Sequence, residues 1–169
     1  MLKNVSLNVI ITASGTRGDV QPYIALALSL NARGHKVFIA TEERMKGLVV
    51  EFGLNYRRLA GDPAGLIFEF DPKVQEVLRK GQMFKLITLT QEWDKKFDRR
   101  DVLDSYVSAC EGADLIISSG LTMTQSLSVA QKMSIAWIPL ILGPTLETRW
   151  VKIKISVIFK KRYKPIPEA

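Results

Sequence analysis

The chain has 169 residues, 47% apolar and 24% charged, a composition that excludes a disordered chain and predicts one packed domain. Most of its net charge of +7 comes from the C-terminal end, where seven basic residues and no acidic residue lie between Arg149 and Lys164. Positions 1–148 hold 17 basic and 16 acidic residues, so the charge gives no reason to expect a nucleic-acid partner.

The predicted elements alternate between apolar runs of strand length and segments of helical period. In chain order they are strand 5–12, helix 20–33, strand 36–40, helix 42–52, strand 55–59, one or two helices between 86 and 110, strand 114–118, helix 123–133 and strand 135–140. Gly34 and Gly53 stand where helix C-caps are expected, and residues 61–72 read as a loop or short insertion. This alternation predicts an α/β domain with a parallel sheet.

The cysteine and histidine content narrows the possible chemistry. Cys110 is the single cysteine, which excludes an internal disulfide, fits a reducing compartment and predicts an inert core thiol. His35, the single histidine, opens the second strand at the amino end of the sheet, so we expect a cap or turn residue and not a base. Without a Cys/His cluster, no metal site is expected. No apolar stretch reaches the roughly 20 residues that span a bilayer, and we expect a cytoplasmic protein.

The loops that follow the strands identify the candidate site. Parallel strands joined by right-handed crossovers bring these loops to one edge of the sheet, where ligands bind in α/β folds. The candidate substrate-binding residues at this edge are Gly15, Thr16, Arg17, Gly18, Ser119, Gly120 and Gly143.

Asp19 is the acidic residue of the first of these loops, and two compatible roles are open to it. It can cap the first helix, with Pro22 in the first turn, or it can remove a proton from an acceptor hydroxyl at the mouth of a cleft. Arg17 is either paired with an acid across the cleft or solvated. The loop matches neither G-x-G-x-x-G nor a P-loop, and a carboxylate would repel pyrophosphate, so phosphate cradling is disfavoured.

The stretch S-G-T-R-G-D-V-Q-P-Y-I-A-L-A-L at 14–28, followed by A-R-G-H-K-V-F-I-A-T at 32–41, closely resembles the N-terminal half of family-28 glycosyltransferases. Sterol 3-beta-glucosyltransferases and the aglycone glycosyltransferases of antibiotic pathways are the most similar groups. The resemblance covers about residues 5–146. It implies a Rossmann-like parallel sheet with helices on both faces, one half of a GT-B architecture, over residues 1–148, with a basic tail at 149–169.

The resemblance also implies a function. Asp19 falls on the aspartate of the family's R-G-D motif, which is implicated as the catalytic base or its equivalent. The implied activity is the acceptor-binding half of a UDP-sugar-dependent hexosyltransferase, with UDP-glucose as the donor substrate of the complete enzyme and a sterol or other lipid hydroxyl as acceptor. This half is expected to bind no cofactor of its own.

The family's donor-binding half has no counterpart in this sequence, because the resemblance ends near residue 146. The chain is then a fragment, one subunit of a split enzyme with a donor-binding partner, or a non-catalytic lipid- or protein-binding module. A plain Rossmann-like nucleotide enzyme is a further alternative that the missing glycine fingerprint disfavours. Residues 151–159 alternate in polarity like an edge strand, and basic residues 160–164 would suit an anionic membrane surface or a solvated terminus.

Overall fold

The computed structural model describes residues 5–61, 72–82, 85 and 98–142. The predictions for Gly143, for the loop at 62–71 and for the basic tail lie outside the described residues. Within those ranges the elements are β1 (Asn8–Thr12), α1 (Arg17–Ala32), β2 (Lys36–Glu42), a 3₁₀ turn (Glu43–Met45), α2 (Lys46–Glu51), β3 (Asn55–Leu59), α3 (Pro72–Arg79), α4 (Arg99–Ala109), β4 (Leu115–Ser118), α5 (Met123–Met133) and β5 (Ala136–Pro139).

The five strands form one parallel sheet in the order β3-β2-β1-β4-β5. Ile10 at the centre of β1 aligns with Phe38 of β2 on one side and with Ile116 of β4 on the other. The chain therefore builds outward from β1 to β3 and then returns to add β4 and β5 on the opposite side. This reversal makes the gap between the carboxyl ends of β1 and β4 a topological switch point.

Two apolar cores cover the two faces of the sheet. On one face, α1 and α2 pack Val20, Tyr23, Ile24, Ala27 and Val49 against alternate residues of the strands. On the other face, α4 and α5 pack Tyr106, Ala109, Cys110, Val129 and Ala130. Burying apolar surface on both faces explains the continuous apolar runs of β1 and β4, and it confirms the predicted Rossmann-like α/β fold.

Glycines end the two helices as expected. Gly34 and Gly53 have φ angles of +89° and +68°, a left-handed backbone that residues with a Cβ adopt at a cost. Two predicted helix starts are wrong. The first helix begins at Arg17 instead of Val20, and Glu42 ends β2 instead of opening a helix, because its side chain is buried against the neighbouring loop.

His35 and Cys110, for which the sequence predicts structural and not chemical roles, occupy the expected positions. His35 lies before β2 at the amino end of the sheet, where its Nδ1 accepts a hydrogen bond from the Leu7 N–H at 3.3 Å. Cys110 is fully buried at the end of α4, and burial raises the pKa of its thiol to about 11. Its burial confirms the predicted core position of Cys110, and a thiol that stays protonated is expected to be unreactive.

Candidate active site

The candidate site lies at the carboxyl ends of β1 and β4. Backbone hydrogen bonds continue the sheet by one residue past each strand, from the Ala13 N–H to the Ala40 carbonyl at 3.0 Å and from the Ser119 N–H to the Thr12 carbonyl at 2.8 Å. Beyond these bonds the two loops separate, because α1 packs on one face of the sheet and α5 on the other. The loops after β1 and β4 therefore border the switch-point crevice.

Asp19 is the third residue of α1, and its side chain turns back to the residue that precedes the helix. Its Oδ2 accepts hydrogen bonds from the N–H and the hydroxyl of Thr16, both at 2.8 Å. Thr16 is therefore the N-cap, and the pair forms the arrangement of a capping box. The N-cap role considered for Asp19 is wrong, since Asp19 satisfies the N-cap backbone from inside the helix.

The second carboxylate oxygen of Asp19 has different surroundings. Among the residues that the structure describes, none donates a hydrogen bond to Oδ1. The residue is half-buried, so its side chain is neither sealed in the core nor fully solvated. Asp19 thus combines a fixed oxygen with one that retains its capacity to accept a proton or a hydrogen bond.

Gly15 provides the space that this arrangement needs. Its φ is +126°, and a Cβ built on it would lie 2.5 Å from Asp19 Oδ2. Any larger residue would push the carboxylate away from Thr16 in addition to straining the backbone. The glycine and the aspartate of the loop are therefore one structural unit.

Arg17 and Gly18 form the first turn of α1 and are exposed. Arg17 Nε donates to Gln21 Oε1 at 3.2 Å, one turn further along the helix. Within the described part of the chain Arg17 makes no ion pair, which agrees with a solvated arginine. A Cβ on Gly18 would meet only Thr16 Oγ1, at 3.7 Å, so sterics alone do not require glycine there.

On the β4 side of the crevice, buried hydroxyls bond to one another. Thr122 Oγ1 lies 3.0 Å from Thr12 Oγ1 and 3.1 Å from Ser119 Oγ, and Thr12 Oγ1 lies 2.8 Å from Ser126 Oγ. We call Thr12, Ser119, Thr122 and Ser126 the hydroxyl cluster. The predicted site residue Ser119 is a buried member of this cluster, whereas Gly120 beside it is exposed.

The end of β2 and the 3₁₀ turn that follows it contact the loop that contains Gly15. The sequence places the end of β2 at the same edge of the sheet as this loop, but it does not predict the contact. Glu42 is 3% exposed, and its carboxylate accepts hydrogen bonds from the hydroxyls of Ser14 and Thr41. Arg44 Nη2 donates to the Gly15 carbonyl at 3.0 Å. The sequence does contain a signal for this contact, because Glu42 ends a buried strand and a buried carboxylate needs hydrogen-bond partners nearby.

Tyr23 connects α1 to the end of the sheet on the other side of the crevice. Its hydroxyl donates to the Leu140 carbonyl at 2.5 Å. Burial, and then the negative charge of Asp19, raise the pKa of the Tyr23 phenol. Asp19 lies one helical turn before Tyr23 in α1, and the Tyr23 hydroxyl contacts the segment that follows β5.

Apolar side chains are exposed on the same side of the molecule. Leu121 follows β4, Ile138 lies in β5, and Leu140 and Leu142 follow β5; their exposed fractions range from 38% to 58%. A Cβ built on Gly120 would lie 3.9 Å from Ile141 Cγ2, and the Leu140 N–H donates to the Ser118 carbonyl at 2.8 Å, so the two loops lie side by side. We call Leu121, Ile138, Leu140 and Leu142 the apolar rim.

The described ranges contain neither a cluster of metal ligands nor a helix that could span a membrane. No group of three or more His, Cys, Asp or Glu residues is arranged to hold a metal ion there. None of the helices in those ranges combines the length and apolar character needed to cross a bilayer.

Residues 9–98 match the glycosyltransferase family 28 N-terminal domain. Over 136 residues, 79% of this chain, it is 37% identical to O-mycaminosyltylonolide 6-deoxyallosyltransferase of Streptomyces fradiae. Over 146 residues, 86% of this chain, it is 31% identical to a sterol 3-beta-glucosyltransferase of Candida albicans. The chain spans only 32% of the first relative and 9% of the second.

Solved structures show the same fold. The calicheamicin glycosyltransferase CalG4 superposes with a TM-score of 0.57 at 15% identity, over 82% of this chain and 33% of that one. SsfS6, a glycosyltransferase of Streptomyces sp. SF2575, gives 0.51 at 21% identity, over 80% and 39%. Both are GT-B glycosyltransferases. The present chain belongs to glycosyltransferase family 28, as an N-terminal domain with the Rossmann-like fold found in GT-B enzymes.

Proposed function

We propose that this chain is the acceptor-binding half of a UDP-sugar-dependent hexosyltransferase that glucosylates a sterol or another lipid hydroxyl when a donor-binding half completes the cleft. The observation that carries the proposal is the Asp19 carboxylate beside the switch point, with Oδ2 held by Thr16 and no described donor on Oδ1. Gly15, Thr16, Arg17 and Gly18 shape this side of the acceptor site, and Ser119, Gly120 and Gly143 are proposed for the other side.

In the proposed reaction, Asp19 Oδ1 takes the proton of the acceptor hydroxyl. The hydroxyl oxygen forms a bond to the anomeric carbon of the sugar, while the bond from that carbon to the diphosphate oxygen breaks. The electron pair of that bond leaves with UDP, whose negative charge the donor-binding half stabilises. Asp19 fits this role because a base must be within hydrogen-bond reach of the proton that it removes, and a fixed carboxylate keeps that geometry.

The apolar rim supports a lipid acceptor. A hydroxyl attached to a large apolar body would leave that body beside Asp19, where exposed leucine and isoleucine side chains can cover it. The hydrogen bond from the Tyr23 hydroxyl to the Leu140 carbonyl connects the helix that carries Asp19 to the segment that contains the apolar rim. The name of the Candida albicans relative supports a sterol, and glucose as the sugar.

Kinetics of the completed enzyme test the role of Asp19. The chain is combined with the donor-binding half of a sterol 3-beta-glucosyltransferase, and transfer from UDP-glucose to cholesterol is followed by product formation. We expect Asp19→Asn to lower kcat by about 10²- to 10⁴-fold, the contribution of a positioned general base. Asn keeps an oxygen for the Thr16 hydrogen bonds, so the fold should be retained.

Asp101→Asn is the matched control. Asp101 is also the third residue of a helix, in the first turn of α4, whose buried residues belong to the other core. It should leave kcat within about twofold of the wild type, as for exposed substitutions away from the site. Equal rates for Asp19→Asn and Asp101→Asn would remove Asp19 from the mechanism.

A non-catalytic lipid- or protein-binding module is the second candidate function, and the exposure of the apolar rim favours it as well. The two candidates differ in what completes them. A binding module would retain cholesterol or protein binding with the chain alone and would gain no transfer activity from any donor-binding half. Turnover in the combined preparation, lost in Asp19→Asn, would exclude it.

A further inference from the structure

The loop that presents Asp19 is held by Glu42, at the end of β2, and by Arg44, in the 3₁₀ turn that follows, and neither is among the site residues predicted from the sequence. The Ser14 hydroxyl donates to the buried Glu42 carboxylate, and the Gly15 carbonyl accepts from Arg44 Nη2 at 3.0 Å. Two successive loop residues are thus bound from the neighbouring strand end, one through its side chain and one through its backbone.

The next residue of the loop holds the carboxylate. Thr16 gives Asp19 Oδ2 both of its hydrogen bonds, and the backbone of Gly15 determines whether that oxygen has room, since a Cβ there would approach it to 2.5 Å. A rotation of the Gly15 peptide would therefore move Thr16 and Asp19 together. Arg44 acts on the peptide carbonyl that such a rotation would displace.

The burial of the charged Glu42 side chain indicates that its hydrogen bonds matter more than its packing. A carboxylate that is 3% exposed loses its hydration and depends on protein donors such as the hydroxyls of Ser14 and Thr41 in place of water. An apolar residue at the end of a buried strand would avoid that cost. A charged group is useful there if its hydrogen bonds fix the loop in a single conformation.

We propose that Glu42 and Arg44 are positioning residues that hold the Ser14–Gly15–Thr16 turn, and through it the Asp19 carboxylate, in the geometry for proton removal. The proposal rests on the function proposed for Asp19. Neither residue touches the acceptor in this account. Both act through the backbone of the loop after β1.

Hydrogen exchange of the Thr16 amide, measured on this chain alone, tests whether Arg44 holds the turn in place. Arg44 is exposed, so Arg44→Gln should fold. Loss of its bond to Gly15 should raise the exchange rate of the Thr16 N–H by roughly three- to tenfold, the factor for one hydrogen bond. The Arg100 N–H, which donates to Asp98 at 2.8 Å at the start of α4, is the matched internal control and should not change.

A double-mutant cycle in the completed enzyme tests whether Arg44 affects catalysis through Asp19. We expect Arg44→Gln to lower kcat by about tenfold with the KM for UDP-glucose unchanged, and Arg44→Lys to restore most of the rate because ammonium can also donate to a carbonyl. Arg33→Gln, at the exposed C-cap of α1, is the control arginine substitution. In the Asp19→Asn background, Arg44→Gln should have no further effect, because Arg44 acts only through Asp19.

The outcomes separate this inference from the function on which it rests. If Asp19→Asn abolishes transfer while Arg44→Gln leaves both kcat and Thr16 exchange at wild-type values, the positioning role is wrong and the function stands. An Arg44→Gln effect that is equally large in both backgrounds would also overturn it, since Arg44 would then act independently of Asp19. Wild-type transfer by Asp19→Asn would instead overturn the proposed function.

Discussion

The two loops that border the switch point differ in how completely their polar side chains are hydrogen-bonded. On the β4 side, the members of the hydroxyl cluster bond to one another and to backbone carbonyls, and Thr122 Oγ1 contacts both Thr12 and Ser119. On the β1 side, Asp19 has one oxygen fixed by Thr16 and a second for which the described residues provide no donor. A closed network stabilises the fold, whereas an incompletely satisfied carboxylate has capacity left for a ligand. The difference agrees with the proposed role of Asp19 as the base, and it indicates that the hydroxyl cluster mainly stabilises the fold beside the acceptor contacts proposed at Ser119 and Gly120.

Gly15→Ala should produce the largest loss on the β1 side. The variant combines an unfavourable positive φ with a contact of 2.5 Å to Asp19 Oδ2, and we expect it to lower the free energy of unfolding by about 3 kcal/mol and transfer by about 10²-fold. Urea unfolding and the transfer assay measure the two effects.

Gly34→Ala is the control for backbone strain alone. Its φ is +89°, but a Cβ there meets nothing within 4 Å, so only the conformational cost of about 1 kcal/mol should appear. If Gly15→Ala lowered the free energy of unfolding no more than Gly34→Ala does, the close approach of a Cβ to the Asp19 carboxylate would not contribute to the loss of stability.

Thr122→Val should have the opposite profile, a loss of stability with little change in rate. Valine keeps the shape but removes the hydroxyl that joins Thr12 to Ser119, leaving buried groups short of a partner at a cost of about 2 kcal/mol. The control Thr124→Val, at an exposed position in the first turn of α5, should lower the free energy of unfolding by under about 0.5 kcal/mol. A large fall in kcat for Thr122→Val, with stability unchanged, would break the division between the two sides.

The ionisation of Tyr23 gives the smallest expected effect and reports on the charge of Asp19. Burial and Asp19 raise the phenol pKa above its ordinary value of 10.0, so Asp19→Asn should lower it while the contribution of burial remains. Titration of the Tyr23 ring signals by NMR, assigned with Tyr23→Phe, measures the shift. An unchanged pKa in Asp19→Asn would show that the carboxylate and the phenol do not interact.

The same shift fixes the direction of a stability change. Because the Tyr23 pKa is higher in the folded chain than in the unfolded one, the neutral phenol contributes stability that is fully present below pH 10.0 and is lost as the pH rises through the raised value. Tyr23→Phe should therefore reduce the alkaline loss of stability, as measured by urea unfolding between neutral and alkaline pH.

Local sequence signals predicted most of the fold. The bounds of β3 and α5 agree with the prediction to the residue, and β4 and β5 agree to within one residue at each end, because apolar runs end where polar residues and glycines begin. The start of α1 was missed although the threonine and aspartate of a capping box stand three residues apart. Gly18 between them weakened the helical pattern, and only the return of the Asp19 side chain to Thr16 identifies the cap.

The parts of the site that the sequence did not reveal depend on strand order. Ser14 and Glu42 are 28 residues apart and meet because β1 and β2 are neighbours in the sheet. Thr12 and Thr122 are 110 residues apart and meet because β4 returns to the other side of β1. The alternation of elements predicts that loops share an edge, but it does not determine which loops are adjacent.

The most direct test of the central claim is the position of the acceptor hydroxyl in a crystal structure of the chain combined with a donor-binding half, UDP and a sterol. We expect a hydroxyl oxygen within about 2.6–3.2 Å of Asp19 Oδ1, with Oδ2 still bonded to Thr16. A sterol hydroxyl bound to the hydroxyl cluster, or anywhere beyond reach of Asp19, would contradict it.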